Sequence, residues 1–172
     1  MPSPARPGCA ARHDYEYERC GVCNGFMAVE PLAGRRMTRV TQRRTKTQWA
    51  CFLEEIARQY RGAQRIILVM DNLNTHGPGS LYETFAPEVA KALWDRFEFV
   101  YTPKHGSWLN MAEIELNVLI KQCLDRRIDN RIEMQAEVEA WQKRRDNMHS
   151  TIDWQFRSED GQDKAQASLP NA

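Results

Sequence analysis

Ile66-Ile67-Leu68-Val69-Met70 is a short apolar run that ends directly on Asp71-Asn72-Leu73-Asn74-Thr75-His76. Its length and β-branched content fit a strand of the continuously apolar kind found in buried parallel sheets. A second such run, Phe97 to Tyr101, stops at Thr102-Pro103 and leads through Lys104-His105-Gly106-Ser107-Trp108-Leu109-Asn110-Met111-Ala112 to Glu113, where a helical pattern begins. One carboxylate therefore sits at the tip of a strand and another opens a helix, with amide and imidazole groups beside each. Hard oxygen donors grouped in this way suit Mg2+ and phosphoryl transfer.

The elements around these two runs define an order. Gly25 to Glu30 and Arg36 to Thr41 read as strands joined by the turn Pro31-Leu32-Ala33-Gly34. A helix is predicted from Thr47 to Tyr60, with Trp49, Phe52, Leu53, Ile56 and Tyr60 on one stripe. Ser80 to Phe97 is helical but divided by Pro87. Further helices are expected from Asn110 to Ile128, with Asn110 and Glu113 in a capping arrangement, and from Ile132 to Arg145.

The chain has 172 residues, enough for one domain with a real core, and 42% of them are hydrophobic and 27% charged. No stretch approaches a membrane span and the start lacks a secretory apolar region, so a membrane partner is not expected. Five cysteines, an odd count, suit a reducing cytoplasm. Cys20 and Cys23 resemble half a zinc site, but no second pair with ligand spacing follows. Net charge is only +1, yet its distribution is uneven. No acid occurs between Glu30 and Glu54, where Arg35, Arg36, Arg39, Arg43, Arg44 and Lys46 cluster. Such a cluster reads either as a phosphate-contacting face or as a solvated hairpin end.

The two acid-bearing motifs, DNLNTH at Asp71–His76 and TPKHGSWLNMAE at Thr102–Glu113, resemble the second and third acid motifs of DDE transposases of the mariner superfamily, in the bacterial insertion-sequence branch called six-thirty. Shorter segments extend the resemblance over about residues 6–157, among them Asp14–Arg19, Phe26–Pro31, Arg43–Lys46, Gln122–Ile128 and Trp154–Phe156. The resemblance implies an α/β, ribonuclease-H-like mixed sheet with flanking helices. It divides the chain into a flexible 1–13, a partial endonuclease domain 14–157 and a flexible tail 158–172. In that fold a central first strand carries the first catalytic Asp, and no apolar strand ending in Asp precedes Asp14. The expectation is a domain that lacks its first strand.

The same resemblance implies Asp71 and Glu113 as catalytic metal ligands for Mg2+, with Mn2+ as a substitute. Asn72, Asn74, His76, His105 and Asn110 would support them. Lys104 and Trp108 would meet DNA together with the basic cluster. Glu115 is a rival to Glu113, but it lies about 200° round the helix. The expected partners are double-stranded DNA, both transposon ends and target, an upstream transposase fragment acting in trans, and a second copy of the chain. The expected location is the cytoplasm, at the nucleoid. A second reading is a non-catalytic remnant, or a regulator that binds DNA or transposase. It draws on the tail, Ser158 to Pro170, which looks like an eroded form of the family's basic ending. A metal phosphohydrolase on another α/β sheet would need a phosphate-cradling Gly-rich loop or a nucleophilic Asp motif, and the sequence has neither.

Overall fold

The computed structural model describes residues 21–103 and 110–152. Strands β1 (Asn24–Glu30) and β2 (Arg35–Thr41) form an antiparallel hairpin in which Glu30 pairs with Arg35. The turn depends on Gly34. Its φ is +63°, and a Cβ there would stand 2.8 Å from the carbonyl carbon of His149. Along β2, alternation sends Met37 and Arg39 toward one face, and Arg36, Thr38 and Val40 toward the other.

Helix α1 (Lys46–Gln59) starts at Thr45, whose hydroxyl accepts the Gln48 N–H at 3.2 Å. Its buried residues Trp49, Ala50, Phe52, Leu53, Ile56 and Ala57 recur at helical spacing and form a single stripe. The stripe packs on Phe26 and Met37 of the hairpin, and on Ile66, Leu68 and Met70 of β3 (Ile66–Met70). β3 pairs in parallel with β4 (Phe97–Tyr101), Ile66 opposite Phe97. Two short helices, α2 (Pro78–Tyr82) and α3 (Pro87–Asp95), make the crossover, each opened by a proline where its missing N–H costs nothing. At the other end of α1 the Arg96 guanidinium donates to the carbonyls of Ala57, Tyr60 and Ala63, tying the helix's exit to the start of β4.

The opposite face of the hairpin is covered by α4 (Ala112–Leu119) and α5 (Arg131–Asn147), and Val40, Leu119, Cys123, Val138 and Trp141 form a second core there. Between these helices and the hairpin lies a buried ion cluster. Arg36 is 3% exposed and Glu115 1% exposed. The Arg36 guanidinium donates to both carboxylate oxygens of Glu115, at 2.7 and 3.0 Å. Arg145 of α5 donates to the same two oxygens, at 3.2 and 2.8 Å. Arg36 further reaches Asp146 and the carbonyls of Gly34 and Ser150.

The expected element order and the mixed α/β class are present. The described strands make two two-stranded sheets, β1-β2 and β3-β4. Three expectations need correction. β3 is buried on one face only, because Ile67 is 65% and Val69 47% exposed. The helix expected to reach Ile128 turns π-helical at Ile120–Leu124 and stops, as its last turn widens beneath the core. Arg36 is not part of a DNA-facing surface, since strand alternation points it inward to Glu115. The ends expected to be flexible, 1–13 and 158–172, lie outside the described residues.

Burial alone would raise the Glu115 pKa, but the bonds and charges of Arg36 and Arg145 outweigh it and hold it below its ordinary value of 4.5. The stability that Glu115 contributes is therefore complete above pH 4.5 and is lost as pH falls through the lower folded value. Glu115→Ala takes the carboxylate from the buried Arg36 guanidinium and the half-buried Arg145, and should cost about 3–5 kcal/mol. Urea unfolding at neutral pH measures that loss, and the variant should no longer show this acid-side dependence.

Candidate metal and DNA site

Asp71 stands where β3 ends, and its neighbours fix the loop behind it. The Asn72 amide donates to the Thr102 carbonyl at 3.1 Å, tying the exits of β3 and β4 together. The His76 N–H closes a turn on Leu73, at 2.9 Å, and the Tyr101 hydroxyl donates to the His76 carbonyl at 3.1 Å. The imidazole of His76 stacks on Trp49 of α1, with centroids 5.4 Å apart and planes 25° from parallel. The residue is thus held on both its backbone and its ring.

Nδ1 of His76 lies 2.8 Å from Asp71 Oδ1 and 3.3 Å from the Asp71 carbonyl. The 2.8 Å contact lacks the angles of a hydrogen bond. Among the described residues, Asp71 Oδ1 is therefore buried without a hydrogen-bond partner, as is the nearby Thr75 Oγ1. Oδ1 has only the His76 ring nitrogen beside it, while the Asp71 side chain as a whole is 41% exposed and open to a ligand from solvent. A hard divalent cation removes that deficit, and carboxylate oxygen is the donor type Mg2+ and Mn2+ prefer. Asp71 fits such an ion.

Asp71 and His76 share a groove with Asn110, Met111 and Ala112, the approach to α4. The Asn110 side chain accepts the Ala112 N–H at 3.1 Å, while its carbonyl accepts the Glu113 N–H at 3.0 Å. This start is built on Asn110, as the capping expectation had it, although the side chain bonds one residue earlier than Glu113. Glu113 is solvent exposed in the first turn of α4. Asn74 is exposed. Lys104, His105 and Trp108 lie outside the described residues, as does Cys20 of the half zinc site. Among the described residues no three His, Cys, Asp or Glu side chains come together as a metal site.

The basic cluster is divided by the fold. Arg43, Arg44 and Lys46 are exposed between β2 and the N-terminus of α1, and Arg44 borders the groove that holds Asp71. Lys46 pairs with Glu83, and Arg39 with Glu55 at 2.6 Å. Arg35 is exposed at the far end of β2. Two contributions escaped the sequence reading. Trp49 was assigned to a helical stripe, with nothing in the spacing to signal its stacking on His76. Glu115 was excluded as a ligand by its angle round the helix, but its ionic partners come from positions remote in sequence.

The family model for DDE superfamily endonucleases matches residues 2–135, well over half of the chain, and the chain belongs to that family. The family acts on DNA and generally uses divalent metals. No curated protein and no solved structure matches the chain. No described helix is long and apolar enough to cross a membrane.

Because His76 touches Asp71, an ion on Asp71 is readable at the imidazole. Substoichiometric Mn2+ should broaden the His76 ring signals in the NMR spectrum of the 172-residue chain, and EDTA should restore them. Asp71→Asn, which keeps the shape and removes the charge, should abolish the effect.

Proposed function

We propose that this chain carries the catalytic face of a transposase of the mariner superfamily, six-thirty branch, built on a ribonuclease-H-like arrangement. In this reading it cleaves and joins DNA at insertion-sequence ends. The observation that carries the reading is Asp71 Oδ1, a buried carboxylate oxygen without a hydrogen bond, at the tip of a parallel strand and beside the approach to α4.

Asp71 and Glu113 would hold Mg2+, and a third carboxylate would come from outside the described residues. When bound, a pair of such ions activates the attacking oxygen and stabilises the leaving oxygen of an in-line displacement at a phosphodiester. The protein's own part is positional. Asn72 locks the Asp71 loop to the exit of β4, and Trp49 holds the His76 ring against the Asp71 carboxylate. Arg43 and Arg44 are exposed, Arg44 at the border of the groove, and both would meet DNA phosphates. His105, Lys104 and Trp108 are assigned to the same substrate side by their motif, and a second copy of the chain would bring the second DNA end.

Cleavage of a labelled duplex carrying the element's ends tests this. With an upstream segment fused to the N-terminus or added in trans, metal-dependent nicking is expected. Asp71→Ala or Glu113→Ala should each lower it by roughly 10⁴-fold, the scale for losing one member of a catalytic unit. Nicking that survives both substitutions would remove these residues from the reaction.

DNA affinity gives a separate check. Binding should weaken steeply with salt and show little sequence preference. Arg43→Ala with Arg44→Ala should flatten the plot of log affinity against log salt by about two units. An unchanged slope would move the phosphate contacts elsewhere.

A further inference from the structure

α4 carries two acids two residues apart, and the fold gives them opposite surroundings. Of its eight residues, Glu115 and Leu119 alone are buried. Leu119 closes the helix, so near its start, where Glu113 stands, Glu115 is the one buried side chain. Ala112 and Leu116 line the groove that ends at Asp71. At about 100° per residue these two lie about 40° apart on the helix. Glu113 lies about 60° beyond Leu116, and Glu115 about 60° before Ala112. The groove face of α4 is therefore flanked by the two carboxylates. Whatever holds Glu115 against the hairpin also sets Glu113 at the opposite rim.

The hold on Glu115 is directional. Its two oxygens accept bonds from the Arg36 guanidinium and from Arg145. Arg36 is fixed in turn by the Gly34 carbonyl at 2.8 Å, by Asp146 at 3.3 Å and by the Ser150 carbonyl. A planar guanidinium fork held in this way accepts one orientation of the carboxylate. Stability alone accounts poorly for such a cluster, because apolar residues of similar volume often stabilise a fold as well or better. Rotation is what apolar packing leaves loose. Side-chain ends lie about 5–6 Å from a helix axis, so a turn of about 30° swings them by roughly 3 Å. Mg2+ holds oxygen ligands at about 2.0–2.1 Å and tolerates departures of about 0.2 Å. A swing of that size takes a carboxylate out of an ion's reach.

We propose that Arg36 and Arg145, acting through Glu115, are positioning residues for Glu113. They fix the rotation of α4 and so hold the Glu113 carboxylate where it can share an ion with Asp71, an inference that rests on the reading of those two acids as metal ligands. In this role none of the three contacts the ion or the DNA. Outer partners of this kind typically contribute about 10–100-fold to metal affinity.

The test is the Mn2+ affinity of the full 172-residue chain, followed by broadening of the His76 ring signals beside Asp71. Glu113→Gln removes a ligand charge and should weaken binding by about tenfold. Glu115→Gln keeps the shape of a residue remote from the ion and should weaken it to a similar extent. Combined, the two should cost no more than either alone, because Glu115 acts through Glu113. Arg145→Gln removes the two rim bonds and keeps the Arg36 pair, so it decides the matter where Glu115→Gln does not fold. It should lower the affinity by roughly threefold, half of a tenfold loss on a free-energy scale. Val138→Ala loosens the same core without touching the cluster, so its thermal midpoint should fall while its Mn2+ affinity is unchanged. A loss with Glu113→Gln and none with Glu115→Gln or Arg145→Gln would overturn the inference and leave Glu113 as a ligand. Additive losses would overturn it too, as would an equal loss with Val138→Ala. An affinity that Glu113→Gln leaves unchanged, or no Mn2+ response in the parent chain, would end the ligand reading itself and the inference with it.

Discussion

The apolar stripe of α1 holds this fold together. The hairpin and the parallel pair share no strand-to-strand hydrogen bonds among the described residues, so their relative placement depends on what lies beneath both. Phe52 meets Phe26 of β1 with ring centroids 5.6 Å apart, and the same stripe takes Ile66, Leu68 and Met70 of β3. Burial of large apolar side chains is the dominant favourable term in folding, and here one helix supplies it to two sheets. The site inherits this arrangement. Trp49, within the stripe, is also the surface against which His76 stacks, so the core and the Asp71 loop share a residue.

The second face is organised by charge. Arg36, Glu115 and Arg145 come from three elements and satisfy one another, with Arg36 and Glu115 buried and Arg145 at the rim. Hydrophobic packing alone would tolerate some rotation of α4, whereas a carboxylate receiving four directed bonds fixes the helix about its axis. Glu113, two residues before Glu115, is turned away from that cluster as a consequence and faces solvent. The ion cluster thereby decides which acid of α4 is buried and which faces solvent.

The groove joins these two themes. It ends at Asp71 and passes the start of α4. The apolar floor supplied by α1 and the Asp71 loop therefore border the same groove.

Much of this was legible in the residues. Apolar runs that stop at Asp71 and at Thr102-Pro103 located both parallel strands, because a strand is a short local pattern and proline ends it. The spacing of Trp49, Phe52, Leu53 and Ile56 gave α1 and its buried face, and the motifs around Asp71 and Glu113 pointed to the family later matched. Other features arise between residues distant in the chain. Arg36 read as one of six clustered bases, and only the packing of α4 and α5 over the hairpin made it a buried partner of Glu115, 79 positions away. β3 read as buried on both faces because hydrophobicity records what a strand prefers to touch. Whether anything touches it depends on which elements surround it, and among the described residues one face and one edge of β3 are left uncovered by another strand.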